Sequence, residues 1–259
     1  MKKFLIVLIL SLIFLTGCSQ KVGNIENGYT DFGNLKLAQF QRPDVGDEIA
    51  VITTNIGEIK IKLLDEVAPI GVEQFKKWVK EGKYTDSIFG SINKDRNIWA
   101  MGKGYKPNMS KEEISKYYDD IVESMSFPHD YEMETSPDYL HFSGAVGFLV
   151  YNWKDTDGTT NEKTIGSFYI VTNEGLEEEI LEIMENMPTQ YGFTKDIITG
   201  YRELGGVIEY NNNLTMFGQV FYGMDIVYEI SNMMVDENKF PIENPVVIEK
   251  IEIIKYDGK

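Results

Sequence analysis

The stretch from Glu48 to Phe75 reads EIAVITTNIGEIKIKLLDEVAPIGVEQF and decides the fold. Ile49 and Val51, then Ile59, Ile61 and Leu63, alternate with polar residues, so each run carries an apolar face at the strand period of two. Asn55-Ile56-Gly57 lies between the runs, and the pair predicts a β-hairpin over Ala50 to Leu64. At Ala68-Pro69 the period changes. Proline suits the first helical position, and Val72, Phe75 and Val79 share one face of the predicted helix, with Trp78 beside them and Gly82 as its stop.

Working outward towards the C-terminus, short apolar runs recur at Ser87 to Ile92, Ile98 to Met101, Gly144 to Tyr151, Ser167 to Thr172, Thr215 to Phe221 and Val246 to Ile254. The polar stretch Asn152 to Thr164 separates two of these strands. Ser110 and Glu113 form a capping box for a helix reaching Ser124. An acidic helix is predicted over Leu176 to Met187, with Leu176, Ile180, Ile183 and Met187 as its apolar face. Further helices are predicted over Thr194 to Leu204, stopped by Gly205-Gly206, and over Met224 to Met233. Many short strands with few helices point to a closed barrel or sandwich rather than a parallel α/β sheet.

Towards the N-terminus, Lys2 and Lys3 precede an apolar run from Phe4 to Leu15, too short to span a membrane comfortably at the roughly 20 residues a spanning helix needs. Leu15-Thr16-Gly17-Cys18 follows at once and resembles the lipobox of bacterial lipoproteins. That resemblance implies a signal peptide over residues 1–17, cleavage before Cys18 and lipidation of its thiol, with an uncleaved membrane anchor as the alternative. Two acyl chains suffice for stable attachment, so the protein is expected on the extracytoplasmic face of the membrane. Cys18 is the only cysteine, which rules out a disulfide within one chain. Losing Lys2 and Lys3 leaves 23 of the 25 basic residues against 41 acidic ones, a net charge of −18 that repels nucleic acid. Residues 18–47 are expected to be the lipidated end and a spacer, flexible from Ser19 to about Gln41, and residues 48–259 one domain.

In their order, these segments resemble the cyclophilin family of peptidyl-prolyl isomerases. Ala50 to Leu64 with Ala68-Pro69, Val72 and Phe75 is similar to the family's opening hairpin and its A-P-x-x-V-x-x-F helix start, and Tyr84 to Ile92 to its Y-x-x-x-x-F-H-R-V-I strand. Ser143 to Leu149 resembles R-G-A-L-S-M-A, Gly166 to Ile170 resembles G-S-Q-F-F-I, and Phe217 to Val227 resembles F-G-x-V-x-x-G-M-D-V-V. The resemblance implies a mainly β fold: an eight-stranded antiparallel barrel with two capping helices, here with helical insertions at Lys106 to Ser126 and Leu176 to Gly206.

It also implies where a prolyl isomerase site would lie. Rotation about an X-Pro bond faces a barrier of about 18–20 kcal/mol; in this family an arginine hydrogen-bonds the substrate near the prolyl amide, glutamines position the chain and aromatics wall the ring. Carried over, the arginine falls on Ser91, the histidine before it on Gly90, and the two glutamines on Met101 and Ser167. Trp99 falls near the methionine of the F-M-x-Q-G motif whose glutamine is Met101, the aromatic wall falls on Tyr169, and the tryptophan and histidine before the F-G turn fall on Glu209 and Leu214. Phe89, Phe148 and Phe168 join Trp99 and Tyr169 as groove candidates, the alternative being that they fill the barrel. Among the three arginines, Arg42, Arg96 and Arg202, Arg96 is a candidate replacement donor or else a solvated loop residue. Losing a donor aimed at the transition state costs about 2.7–4 kcal/mol.

His129, Asp130, Glu132 and Glu134 read as an exposed acidic loop rather than metal ligands, His141 as barrel-edge packing, and Asp155-Thr156-Asp157-Gly158 lacks the register of a calcium loop. No cofactor is implied. Two functions compete: a weak extracytoplasmic isomerase acting on proline-containing segments of exported proteins, and an inactive module binding proline-containing or extended peptides.

Overall fold

The computed structural model describes residues 25–33, 35–106, 108–155, 157–172, 175–187 and 192–259. The expected signal segment and Cys18 lie outside them. Strands β1 (Ile25–Glu26), β2 (Tyr29–Thr30), β3 (Glu48–Thr54), β4 (Gly57–Leu63), β5 (Ser87–Asn93), β6 (Asn97–Ala100), β7 (Ala145–Lys154), β8 (Thr160–Val171), β9 (Met216–Tyr222) and β10 (Val247–Lys255) form one antiparallel sheet. Its order is β1-β2-β9-β4-β3-β10-β5-β6-β8-β7, and β7 pairs back onto β9. Eight strands therefore close into a ring, with the β1–β2 hairpin appended at β9. Closure removes the sheet edges around the ring, and besides the appended hairpin only the outer part of the β7–β8 hairpin extends beyond it.

The opening hairpin forms as the alternation predicts, but its inward face is different. Ala50 and Ile52, paired with Ile61 and Ile59, are 0 % exposed inside the barrel. Ile49 and Val51 point the other way and pack with Phe221 and Tyr256, because β3 is covered on both faces. Helices α1 (Pro69–Lys80) and α5 (Met224–Ser231) bury Val72, Phe75, Trp78, Met224, Val227 and Ile230 in the main core. Phe75 meets the rings of Phe217, Tyr84 and Phe168 at 4.8, 5.6 and 5.8 Å. Emptying such a site costs about 3–5 kcal/mol.

Both insertions are helical. Helix α2 (Lys111–Ser124) starts at the Ser110–Glu113 capping box, with Glu113 N–H donating to Ser110 Oγ at 3.2 Å and Ser110 N–H to Glu113 Oε2 at 2.7 Å. Helices α3 (Glu178–Asn186) and α4 (Lys195–Leu204) form a second core with Leu35, Phe40, Leu140 and Phe142. The apolar face expected for α3 is corrected: Leu181 and Met184 turn inward, while Ile180, Ile183 and Met187 stay exposed. Arg202 ties the pair together from outside through Glu178 and Glu185 at 3.1 and 3.0 Å.

Two further expectations change. Asn152 to Thr164 is not a mere connection, since β7 and β8 remain paired out to Lys154 and Thr160. The expected spacer is packed from its middle onward. Asn27 and Gly28 both have positive φ, the geometry of a tight two-residue hairpin turn between β1 and β2. Gln39 is buried, accepts from Leu140 N–H at 2.9 Å and donates to Leu140 O and Gln219 Oε1 at 3.0 Å.

Candidate functional site

The outer face of the barrel carries one continuous cross-strand row. Ser91 on β5 pairs with Trp99 on β6, Trp99 with Tyr169 on β8, and Tyr169 with Gly147 on β7. Directly paired residues share a face, so the position assigned to the arginine lies beside Trp99 and two strands from Tyr169. The adjacent row, Phe89, Ala100, Phe168 and Phe148, is 0 % exposed and points into the core. Phe89, Phe148 and Phe168 are thus barrel filling and not groove lining: Phe148 and Phe168 lie one step from Gly147 and Tyr169, which turns them to the other face, and the register shift between Phe89 and Ser91 does the same for Phe89.

Within the outer row Ser91 and Trp99 are half-buried, but Tyr169 is 0 % exposed. Gly147 makes room for its ring, since a side chain there would meet Tyr169 Cζ at 2.6 Å. The Tyr169 hydroxyl lies 2.8 Å from His141 Nε2, and His141 Nδ1 lies 3.3 Å from Asn211 Oδ1. His141 N–H donates to that same oxygen at 2.8 Å, which fixes the amide orientation, and Asn211 Nδ2 donates to the Tyr201 hydroxyl of α4 at 2.7 Å. Since Asn211 Oδ1 only accepts, the imidazole proton sits on Nδ1 and Nε2 accepts from Tyr169. Burial pushes the His141 pKa down to about 4, so the ring is neutral. His141 was expected to serve in packing; it is also the centre of a hydrogen-bonded chain from the α4 insertion to the aromatic wall.

Tyr210 completes this wall, with its ring 5.2 Å from that of Tyr169 and 5.7 Å from His141. Arg96 lies over it, Cζ 5.2 Å from the ring centroid and Nε 3.5 Å from the hydroxyl. Asn97 Nδ2 donates to the same hydroxyl at 2.7 Å, and Trp99 Nε1 donates to Asn97 Oδ1 at 2.8 Å. The Tyr210 hydroxyl, with the Glu209 carboxylate adding to it, raises the Arg96 pKa above its ordinary value. The guanidinium and the phenol therefore meet, and Asn97 links the phenol to the indole, where the aromatic row reaches solvent.

The rest of the expected groove is filled. Met101 and Ser167 are 0 % exposed and have no surface to offer a substrate, which corrects their assignment as contact residues. A side chain at Gly90 would lie 2.5 Å from Met101 Cγ and 2.8 Å from Tyr105, so these two occupy the space of the expected histidine. Helix α2 lies alongside. The Tyr117 hydroxyl accepts from Gly102 N–H at 2.9 Å and donates to Gly102 O at 3.3 Å, and a side chain at Gly102 would meet Ile121 at 2.5 Å. Leu214 packs half-buried on the main core, and Glu209 is exposed.

The other constellations resolve structurally. Glu134 caps α1, accepting from Ile70 N–H at 2.9 Å and Gly71 N–H at 2.7 Å. Among the described residues no cluster of three or more metal-ligating side chains occurs. Asp155 accepts from Asn161 Nδ2 at 2.9 Å in the β7–β8 turn.

A family model described as cyclophilin type peptidyl-prolyl cis-trans isomerase/CLD matches residues 49–253. The chain belongs to the cyclophilin family. An inferred peptidyl-prolyl cis-trans isomerase of Staphylococcus saprophyticus is 28 % identical over 215 residues, covering 81 % of this chain and 94 % of its own. One from Staphylococcus aureus strain USA300 is 26 % identical over 211 residues, with 80 % and 92 % covered. A Cryptosporidium parvum cyclophilin, crystallised in the presence of the dipeptide Ala-Pro, is similar at 17 % identity and a TM-score of 0.48, over 80 % of this chain and 99 % of that one. In this cyclophilin, sequence reading missed Tyr210, Asn97, Asn211 and Tyr117. Tyr210 alone left a signal, as the residue immediately after the position given to the tryptophan.

Proposed function

We propose that this cyclophilin is a membrane-anchored, extracytoplasmic peptidyl-prolyl cis-trans isomerase that assists the folding of exported proteins and is slow for its family. The observation that carries the reading is Arg96, set on Tyr210, whose hydroxyl is joined to Trp99 through Asn97, within a chain matched by the cyclophilin model from residue 49 to 253. Twisting an X-Pro amide out of plane breaks its conjugation and leaves electron density on nitrogen. A fixed guanidinium donor favours that twisted form, and the exposed parts of Trp99 and Tyr210 offer the proline ring an apolar seat. The slowness follows from Ser91, Met101 and Ser167, which supply neither the family's donor nor its glutamine contacts. Lys2-Lys3, the apolar run and Leu15-Thr16-Gly17-Cys18 support export and lipidation at Cys18.

A protease-coupled proline-peptide assay on the form starting at Ser19 tests this. The expected rate exceeds the uncatalysed one but falls about 10²–10³-fold below a cyclophilin with a complete site, and Arg96→Ala abolishes it. An unchanged rate in Arg96→Ala refutes the donor assignment. The burial of Met101, Ser167 and Tyr169 favours a second reading, a peptide-binding module without catalysis, which the same assay separates by binding without acceleration.

A further inference from the structure

A cavity of about 620 Å³ opens beside β8 and shares no residue with the Arg96–Tyr210 network. Segment 125–127 adds a short third strand there: Gly166 N–H donates to Met125 O at 2.6 Å and Phe127 N–H to Thr164 O at 3.0 Å. Pro128 ends that pairing, having a fixed φ and no N–H. Because Thr164 C=O points away from β7, the strand period turns the main-chain N–H and C=O of Glu162 and Thr160 the same way. Among the described residues no hydrogen bond from outside the β7–β8 hairpin reaches them. The cavity opens at this edge; Phe127, Tyr131, Met133, Val150 and Trp153 form its apolar wall, and His129, Glu132 and the β8 residues Asn161 to Thr164 form the polar remainder. Met133 is 43 % exposed, an apolar side chain facing water without cover.

We propose that this edge binds an extended polypeptide segment by strand addition, antiparallel to β8 and in line with 125–127, with one apolar side chain lodged in the cavity. Donors and acceptors alternating along an open strand are matched by another extended main chain. The partner is a different polypeptide and not a second copy: two-fold antiparallel pairing centred on Glu162 would set two Glu162 carboxylates directly opposite, which is destabilising, and pairing centred on Asn161 would bring residue 159 of the other copy opposite Lys163, the place in line with Ser126 and Phe127 that Pro128 takes. The site requires no proline and is independent of the isomerase groove.

The test is fluorescence anisotropy of a fluorescein-labelled Ser-Thr-Val-Thr-Phe-Thr-Ser peptide titrated with the full chain in mild detergent. Saturable binding is expected, weakened about tenfold or more by N-methylation of the central probe amides, which removes their donors. Glu162→Pro, whose lost N–H takes no part in the β7 ladder, is expected to weaken binding similarly, and Glu162→Ala by less than about twofold, because the main chain makes the contact. Absence of saturable binding, or equal binding of the N-methylated probe to wild type, overturns the proposal whatever the variants do. A dimer that Glu162→Pro dissolves overturns it in favour of self-association.

Discussion

Acid is expected to destabilise this cyclophilin through one buried residue, His141. Its pKa is about 4 in the fold against 6.5 for the free side chain, because burial disfavours the charged ring. The unfolded chain therefore binds a proton that the native state refuses. Above about pH 6.5 neither state is protonated and the contribution to stability is fully present; it falls as pH drops and levels off below about pH 4. A difference of about 2.5 between the two pKa values, at about 1.4 kcal/mol for each, amounts to roughly 3.5 kcal/mol, of which roughly 3 is lost by pH 4, a large share of the 5–15 kcal/mol typical of a domain. Urea unfolding followed by tryptophan fluorescence at steps from about pH 7.5 to about pH 4, on wild type and His141→Gln, isolates this contribution from the carboxylates common to both. Wild type should lose roughly 3 kcal/mol more than the variant across that range. Parallel curves would refute the reasoning, since His141 would then titrate in the fold as it does in the unfolded chain, and the neutral Tyr169–His141–Asn211 chain would not exist.

Ser91→Arg puts a guanidinium next to Trp99 in the outer row and should raise isomerase activity above wild type, recovering part of about 2.7–4 kcal/mol of transition-state stabilisation. The gain stays partial because Met101 and Ser167 remain buried; an unchanged rate in the protease-coupled assay would place the groove elsewhere. Cys18→Ser should release or mislocalise the protein in a membrane fractionation, whereas an uncut precursor of similar abundance in the membrane would mean the apolar helix is the anchor.

Much of the barrel was legible because its signals are local. The β3–β4 alternation, Pro69 at the first position of α1, the Ser110–Glu113 box and the Gly205 stop each act within a few residues. Other features needed neighbours distant in sequence. Nothing in β3 shows that Ile49 and Val51 are covered by Phe221 and Tyr256, and nothing in α3 shows that α4 and Leu35 approach the side of Leu181 rather than that of Ile183. The packing of residues 35–40 rests on Gln39 meeting Leu140 and Gln219, between 101 and 180 positions away.

By itself the sequence determined the order of elements, the cyclophilin resemblance and the absence of an arginine at Ser91, since these depend on residue identity and near spacing. Only the tertiary structure decided that the space left by the lost histidine and glutamines is closed. Met101 and Tyr105 fill the room left at Gly90, Tyr117 and Ile121 pack over Gly102, and Tyr169 is sealed by His141 and Tyr210. The same tertiary contacts carry Arg96 onto Tyr210, which lies 114 residues further along the chain. A groove is made of space between segments, and whether that space stays open depends on which side chains from remote segments can reach it.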